Sequence, residues 1–152
     1  MNSNEIKEPK LTSFLLVEDD DDHAQLVIRS LENNRVTNGI HHVKDGAEAL
    51  DYLFQRGKYK NQPHPDIILL DLKLPKVDGH EVLRKVKSDP RLKVIPIVIL
   101  TTSTAEADKE MAYEEHANSY LVKPLDFNNF RKMAEDLNLY WSIWNQPTHA
   151  IK

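Results

Sequence analysis

An aspartate follows a short apolar run near the middle of the chain: Asp71 comes directly after Ile67–Leu70. A run of this kind predicts a strand buried on both faces, as in a parallel sheet covered by helices. Ligands of open α/β sheets bind at the carboxyl ends of the strands, so this carboxylate is placed to bind a metal ion, to react, or both. From this segment alone, a simple role in ending the strand and starting a turn fits equally well.

Three other chemically capable positions also follow apolar runs. They are the acidic pair Glu18 and Asp19 after residues 14–17, Thr101 after residues 96–100, and Lys123 after Ser119–Val122. If the runs are parallel strands, these side chains meet Asp71 at one edge of the sheet. Converging carboxylates repel one another unless a cation is present, and oxygen ligands favour a hard ion such as Mg²⁺. Asp71 can then attack phosphorus, while Thr101 and Lys123 supply a hydroxyl and a positive charge to the phosphoryl group.

The elements that must position these residues alternate along the chain. Strands are predicted at residues 13–17, 40–43, 66–70, 96–100 and 119–122. The spacing of apolar residues predicts helices near residues 24–31, 47–54 and 82–86, from 104 to 117, and from about 126 to 144. The fourth helix has Ser103 or Thr104 as its expected N-cap. Five alternating strands and helices predict an α/β fold with a doubly wound, five-stranded parallel sheet and helices on both faces.

Composition places the chain among single-domain proteins. It has 152 residues and no cysteine, which excludes disulfides and thiolate metal sites. The net charge of −4 gives no general reason to bind nucleic acid, and no apolar run approaches the roughly 20 residues of a membrane helix. We expect a cytoplasmic protein with a flexible tail at residues 1–10, one domain at residues 11–136, and an aromatic extension of the last helix at residues 137–152.

Four motifs in a fixed order carry a resemblance to a known family. They are LLVEDD at residues 15–20, IILLDLKLPKVDG at residues 67–79, PIVILTTS at residues 96–103 and SYLVKP at residues 119–124. With these motifs the chain resembles the receiver domain of bacterial two-component response regulators, the CheY-like family, over about residues 13–130. The resemblance implies a flavodoxin-like fold and a protein that accepts a phosphoryl group from a sensor histidine kinase.

The resemblance assigns the acceptor and the metal site. It implies that Asp71 is the phosphoacceptor and that Glu18 and Asp19, together with Asp71, hold a divalent ion, Mg²⁺ or Mn²⁺. The backbone carbonyl of Lys73, two residues after the acceptor, is implied to complete the metal shell. Glu18 is longer than the aspartate often found at its position, so its metal contact can run through a water molecule.

Further matches concern the conformational switch. Thr101 is implied to be the hydroxyl that closes on the phosphoryl group, and Tyr120 the aromatic ring that turns inward when it does. Lys123 is implied to pair with the phosphate, aimed by a cis peptide bond between Lys123 and Pro124. Gly79, in the turn after the acceptor loop, is expected to adopt a backbone conformation that other residues resist.

The aromatic end of the chain and an insert-like segment at residues 54–65 resemble a subgroup of receivers paired with bacterial and cyanobacterial phytochromes. This implies a phytochrome-type kinase as partner and a homodimer built on the fourth helix, the fifth strand, the fifth helix and the extension. Tyr140, Trp141 and Trp144 are the expected dimer interface, because Trp and Tyr are enriched in binding hot spots. Packing of this face on the protein's own sheet is the alternative.

Two other functions remain open. A Mg²⁺-dependent phosphohydrolase of the haloacid dehalogenase type also uses an aspartate nucleophile, but its nucleophile comes first in the chain and a second aspartate follows two residues later, where this chain has Lys73. A pseudo-receiver would keep the fold as an interaction module without phosphorylation. The complete set of acceptor, acidic pair, hydroxyl and lysine favours a phosphorylation switch over both, and over an enzyme with turnover. The seven histidines are scattered and are expected to have structural or surface roles.

Overall fold

A computed structural model describes residues 12–33 and 37–123, together with Lys132 and Glu135. Lys132 and Glu135 are helical and fall within the predicted last helix. The tail at residues 1–10, the peptide bond between Lys123 and Pro124, and the aromatic residues of the predicted dimer interface lie outside the described residues. Within these described ranges, no helix combines the length and the apolar character that crossing a membrane requires.

The described chain forms five strands and four helices that alternate. The strands are β1 (Thr12–Val17), β2 (Thr37–Val43), β3 (Ile67–Leu70), β4 (Ile97–Thr101) and β5 (Ser119–Val122). The helices are α1 (Asp21–Asn33), α2 (Gly46–Leu53), α3 (Gly79–Lys87) and α4 (Glu106–Glu114), with a short 3₁₀ helix at Gly57–Tyr59. All neighbouring strands pair in parallel, in the order β2-β1-β3-β4-β5. The predicted doubly wound, five-stranded parallel sheet is confirmed.

Successive residues of the central strands point to opposite faces of the sheet and fill two separate cores. Leu15 and Ile68 belong to the larger core, which also contains buried residues of α2, α3 and α4. Leu16 and Leu69 belong to the other core, which contains the buried face of α1. Helices therefore cover both faces, which explains why the central strands read as uninterrupted apolar runs.

The helix α4 begins later and ends earlier than the sequence predicts. Its N-cap is Ala105, which makes no side-chain capping bond, rather than Ser103 or Thr104. Ser103 instead uses its hydroxyl within the preceding loop, where Oγ donates to Asp108 Oδ2 at 2.6 Å and accepts from the Ala105 N–H at 3.3 Å. The helix stops at Glu114 because His116 takes a left-handed conformation, with φ of 72°.

The insert-like segment at residues 54–65 packs against α2 and β2. Tyr59 is buried, and its hydroxyl donates to Glu48 Oε2 at 2.5 Å. The ring of His41 stacks on Tyr52 with centroids 4.5 Å apart, and Tyr59 meets Tyr52 edge-on at 5.0 Å. The segment therefore completes an aromatic cluster beside the edge strand β2, on the side of the sheet away from β5.

Candidate functional site

The carboxylate of Asp71 lies at the carboxyl end of β3, between two donors. Its backbone N–H donates to the Val17 carbonyl at 3.0 Å, which extends the ladder between β3 and β1 by one bond. Its Oδ1 accepts from the Lys73 N–H at 3.2 Å, and its Oδ2 accepts from Lys123 Nζ at 3.2 Å. The residue is 7% exposed. A carboxylate held by two donors in this way is fixed in direction.

The loop after Asp71 is closed by a tight approach at Gly79. The Gly79 N–H donates to the Leu72 carbonyl at 2.9 Å, and Asp78 caps α3 by accepting from the Glu81 N–H at 3.0 Å. A Cβ at residue 79 would lie 2.4 Å from the backbone oxygen of Asp71. The expected unusual backbone conformation at Gly79 was wrong, since the glycines with positive φ are Gly39 and Gly57. Glycine is required here by space, not by conformation.

The acidic run after β1 is divided between the interior and the surface. Glu18 is buried, and its backbone N–H donates to the Val43 carbonyl at 3.0 Å. Asp19 is exposed. Asp20 caps α1, its Oδ1 accepting from the N–H groups of Asp22 and His23 at 2.9 and 3.1 Å. A run that reads as a solvated surface thus contains one buried carboxylate, one exposed carboxylate beside it, and a helix cap.

Three carboxylates converge as the sequence predicted. Glu18, Asp19 and Asp71 each offer an oxygen, and these oxygens all lie within 4.8 Å of one another. An all-oxygen donor set with waters and phosphoryl oxygens available suits Mg²⁺ or Mn²⁺ rather than a softer ion. Burial raises the pKa of the Glu18 carboxyl to about 7, opposed by Lys123 and reinforced by the negative charge of Asp71. The site residues fit a divalent cation.

Lys123 lies at the centre of this cluster, after β5, and is almost completely buried. Its ammonium donates to Glu18 Oε1, to Asp71 Oδ2 at 3.2 Å and to His23 Nδ1 at 3.1 Å. An ammonium group has three donors and no acceptor, so all three are used. The His23 contact was not predicted. To reach a phosphoryl oxygen, Lys123 must release one present partner.

The two predicted switch residues meet at one loop residue. Thr101 is fully buried, and its Oγ1 accepts from the Ser103 N–H at 3.3 Å. Tyr120 is also buried, and its hydroxyl donates to the Ser103 carbonyl at 3.1 Å. This burial raises the pKa of the Tyr120 hydroxyl. Thr102, which lies between Thr101 and Ser103 in the chain, is exposed. The ring that the sequence predicts to turn inward on phosphorylation is already inside in this structure.

A cavity of about 460 Å³ opens beside the acceptor loop. It is lined by Asp19, Leu72, Lys73, Leu74, Pro75, Asp78, His80 and Asp108. Lys73 both donates its N–H to Asp71 Oδ1 and lines this cavity, while the metal-binding role of its carbonyl stays a prediction. The contact of His80 with Asp108 was not predicted, because only the packing of α3 against α4 brings the two residues together, and Ser103 was predicted only as a helix cap.

Comparison with known proteins agrees with this architecture. The family model for the response regulator receiver domain matches residues 14–135. The chain is 47% identical to FilR2 of Methanothrix harundinacea, named a probable methanogenesis regulatory protein, over 88% of this chain and 85% of the relative. It is 42% identical to response regulator Rcp1 of Synechocystis sp., over 91% of this chain and 93% of the relative.

Solved structures extend the likeness to the phytochrome-associated subgroup. The phosphorylated cyanobacterial phytochrome response regulator RcpA superposes with a TM-score of 0.83 at 41% identity, covering 86% of this chain and 94% of the other. The Mn²⁺-bound form of Rcp1 superposes with a TM-score of 0.82 at 42% identity, over the same shares. The predicted resemblance to these receivers is confirmed. This chain belongs to the response regulator receiver domain family of two-component systems.

Proposed function

We propose that this response regulator works as a phosphorylation switch in which Asp71 accepts the phosphoryl group. The observation that carries the proposal is the convergence at the end of β3. Asp71 is held between the Lys73 N–H and Lys123, and Glu18 and Asp19 bring their oxygens within 4.8 Å of the acceptor. A capping aspartate needs neither a buried lysine nor two further carboxylates.

The chemistry that we propose is a transfer from a kinase phosphohistidine. A carboxylate oxygen of Asp71 forms a bond to phosphorus while the bond between phosphorus and the imidazole nitrogen breaks, and the imidazole leaves with the electron pair. Lys123 turns one of its three donors from a present partner to the phosphoryl oxygens, and the hydroxyl of Thr101 donates to another. Thr101 then pulls on Ser103, whose N–H it now accepts at 3.3 Å. This movement would shift the population between two arrangements of the loop after β4.

Receiver domains bind a divalent metal ion, and we propose Mg²⁺ for this chain, with Mn²⁺ as a substitute. The ligands would be Glu18, Asp19, Asp71 and the backbone carbonyl of Lys73. The ion supplies positive charge that offsets the carboxylates and the incoming phosphoryl group. The all-oxygen donor set supports the choice of a hard ion.

We propose that the protein is a switch with self-phosphotransfer and autodephosphorylation, not an enzyme with a separate substrate. The haloacid dehalogenase alternative is disfavoured because Lys73 occupies the position of that family's second aspartate. The pseudo-receiver alternative is disfavoured because Lys123 and the three carboxylates are assembled around the acceptor.

Incubation with acetyl phosphate and Mg²⁺, followed by intact mass measurement, tests the acceptor. We expect a gain of one phosphoryl group in wild type and none in Asp71→Ala. Asp78→Asn is the matched control, because Asp78 lines the same cavity and asparagine also caps helices. It should gain the phosphoryl group as wild type does. A gain that persists in Asp71→Ala would refute Asp71 as the acceptor.

Receiver domains take phosphoryl groups from histidine kinases, and we propose that the partner of this chain is a phytochrome-type kinase. We also propose that the two proteins interact in the cytoplasm. Support comes from the likeness to RcpA and Rcp1 over most of their length. FilR2, at 47% identity, is named for methanogenesis regulation, so the likeness to the family alone does not identify the partner kinase. Phosphotransfer from purified phytochrome-type and other histidine kinases of the source organism should be fastest with the phytochrome type. Equal rates with all kinases would reject this partner.

We further propose a receiver domain at residues 11–136, followed by an extension at 137–152 that contributes to a homodimer. The described part of the expected interface exposes apolar side chains, Met111 and Tyr113 on α4 and Val122 on β5. Sedimentation of Trp141→Ala beside wild type tests this, with Val94→Ala as control, because Val94 is 75% exposed outside α4 and β5. We expect only Trp141→Ala to weaken the dimer. Monomeric wild type would reject the proposal.

A further inference from the structure

The helix α4 is attached to the domain by few apolar contacts. Within α4, all of whose residues the structure describes, only Ala112 is buried, while Met111 and Tyr113 are exposed. Apolar burial stabilises in proportion to area, and one alanine methyl group contributes little. By contrast, α3 buries Val82, Leu83 and Val86. Polar contacts must therefore do much to fix where α4 lies.

The imidazole of His80, on α3, faces two carboxylates at opposite ends of α4. Its Nε2 lies 3.4 Å from Asp108 Oδ1, in the first turn, and its Nδ1 lies 3.5 Å from Glu115 Oε1, at the C-cap. The side chains of His80 and Glu115 are 17% and 20% exposed. Neither His80 Nδ1 nor Glu115 Oε1 makes a hydrogen bond to any described residue, so their 3.5 Å contact with each other is electrostatic. A single ring thus contacts side chains from the first turn and from the C-cap of α4.

The same contact leads to the candidate site through Asp108. Asp108 Oδ2 accepts from Ser103 Oγ at 2.6 Å, and the Ser103 N–H donates to Thr101 Oγ1 at 3.3 Å. The Ser103 hydroxyl, and then His80, hold the pKa of Asp108 below its usual range. The Ser103 carbonyl also accepts a hydrogen bond from the Tyr120 hydroxyl. A continuous chain of polar contacts therefore joins α3, α4 and the proposed phosphoryl-sensing hydroxyl.

We infer that His80 is a positioning residue that fixes α4 and the loop after β4 relative to Thr101. A change in position at Thr101 is thereby transmitted to the surface of α4. The holding of α4 is a property of the unphosphorylated protein and stands by itself. The coupling to Asp71 rests on the proposed function.

Hydrogen exchange of the full chain, read by mass spectrometry on peptides from α4, tests the inference. His80→Leu removes both polar contacts, whereas His80→Gln keeps an amide donor near the place of Nε2. Lys85→Ala is the control, since Lys85 is exposed on α3 and pairs with Glu81 of the same helix. We expect exchange in α4 to rise about tenfold in His80→Leu and to return most of the way in His80→Gln, with β3 peptides unchanged.

Each outcome decides one part. Exchange of α4 within about twofold of wild type in His80→Leu would overturn the holding role. If β3 peptides also exchange faster, His80→Leu is unfolding, and His80→Gln decides instead: its α4 exchange should still exceed that of wild type, because the contact with Glu115 is lost, and equal exchange would overturn the holding role. With acetyl phosphate and Mg²⁺, the change in α4 exchange should shrink by at least about half in His80→Leu; an unchanged response would overturn the coupling. Wild type that gains no phosphoryl group would reject the proposed function, while the unphosphorylated comparison still judges the holding role.

Discussion

The two sides of the candidate site are built from different interactions. On the acceptor side, Asp71 follows a strand whose four residues are all buried, and Gly79 closes the loop against its backbone. On the other side, Thr101 leads into a loop and a helix that bury one alanine and depend on Ser103, Asp108 and His80. One side is fixed by close packing, and the other by a series of polar contacts.

This difference allows the proposed switch to combine a fixed phosphoacceptor with a movable output surface. Removing a buried leucine side chain typically costs about 2–5 kcal/mol, whereas a single hydrogen bond contributes about 1 kcal/mol net. If Asp71 is phosphorylated as proposed, a change in a few polar contacts is enough to move α4 without disturbing β3.

The largest expected effect is a truncation in the sheet beside the acceptor. Leu70→Ala should lower the free energy of unfolding by about 3 kcal/mol, because Leu70 is fully buried in the larger core. Met111→Ala on α4 should change it by less than about 0.5 kcal/mol, because Met111 is 43% exposed. Urea denaturation measures both. Similar losses in the two variants would show that α4 is packed as tightly as β3, contrary to the comparison.

A smaller loss is expected where the acceptor loop closes. Gly79→Ala places a methyl group 2.4 Å from the Asp71 carbonyl oxygen and 2.5 Å from Leu72 Cα, so the backbone must shift. We expect a loss of about 2 kcal/mol in stability together with slower phosphorylation by acetyl phosphate.

Gly57→Ala is the matched control for this prediction. Nothing lies within 4 Å of its added Cβ, but its φ of 56° disfavours alanine. It should cost about 1 kcal/mol through backbone conformation alone and leave the phosphorylation rate unchanged. Equal effects of both variants on phosphorylation would mean that the close approach at Gly79 does not position Asp71.

The fold was predictable because its central strands are buried on both faces and their ends carry the chemistry. Ile67–Leu70 and the residues before Glu18 could be assigned from hydrophobicity alone, and the parallel arrangement then required their ends to meet. Boundaries were less accurate at β2, which begins at Thr37, and at α4, where the Ser103 hydroxyl organises the loop instead of capping the helix. The helix-capping propensity of serine does not determine which of these two roles Ser103 takes.

The site was predictable only in the part that lies on strand ends. Glu18, Asp19, Asp71 and Lys123 come together because the sheet places them, and each lies one or two residues after its strand. The contact of His80 with Asp108 depends on how two helices pack, 28 residues apart in the chain, and no local pattern encodes it. The seven histidines were therefore read together as structural or surface residues, although His23 and His80 each contact a polar residue of the site or of α4.

On the polar side, Tyr120→Phe should have a modest effect. It removes the hydroxyl that donates to the Ser103 carbonyl at 3.1 Å and leaves the buried ring in place. We expect a loss of about 1 kcal/mol in stability by urea denaturation and an unchanged rate of phosphorylation. Ser103→Ala keeps that carbonyl but removes the bond to Asp108, so the double variant measures the coupling between the two contacts. A slower phosphorylation of Tyr120→Phe would mean that this hydroxyl also positions the acceptor.

The smallest effect is expected in a closely packed region, the aromatic cluster beside β2. Burial lowers the pKa of His41 below its ordinary 6.5, so the folded ring binds a proton less readily than the unfolded one. The stability from the neutral, stacked ring is complete above pH 6.5 and is lost as the pH falls from there through the lower folded-state pKa. His41→Phe keeps an aromatic ring against Tyr52 but cannot titrate. Between pH 7 and 5, the unfolding free energy of this variant should therefore decline less than that of wild type. The difference between the two declines should be less than about 1 kcal/mol. Parallel curves for the two proteins would show that the cluster accepts a charged ring without cost, and that this side of the molecule is less closely packed than its contacts indicate.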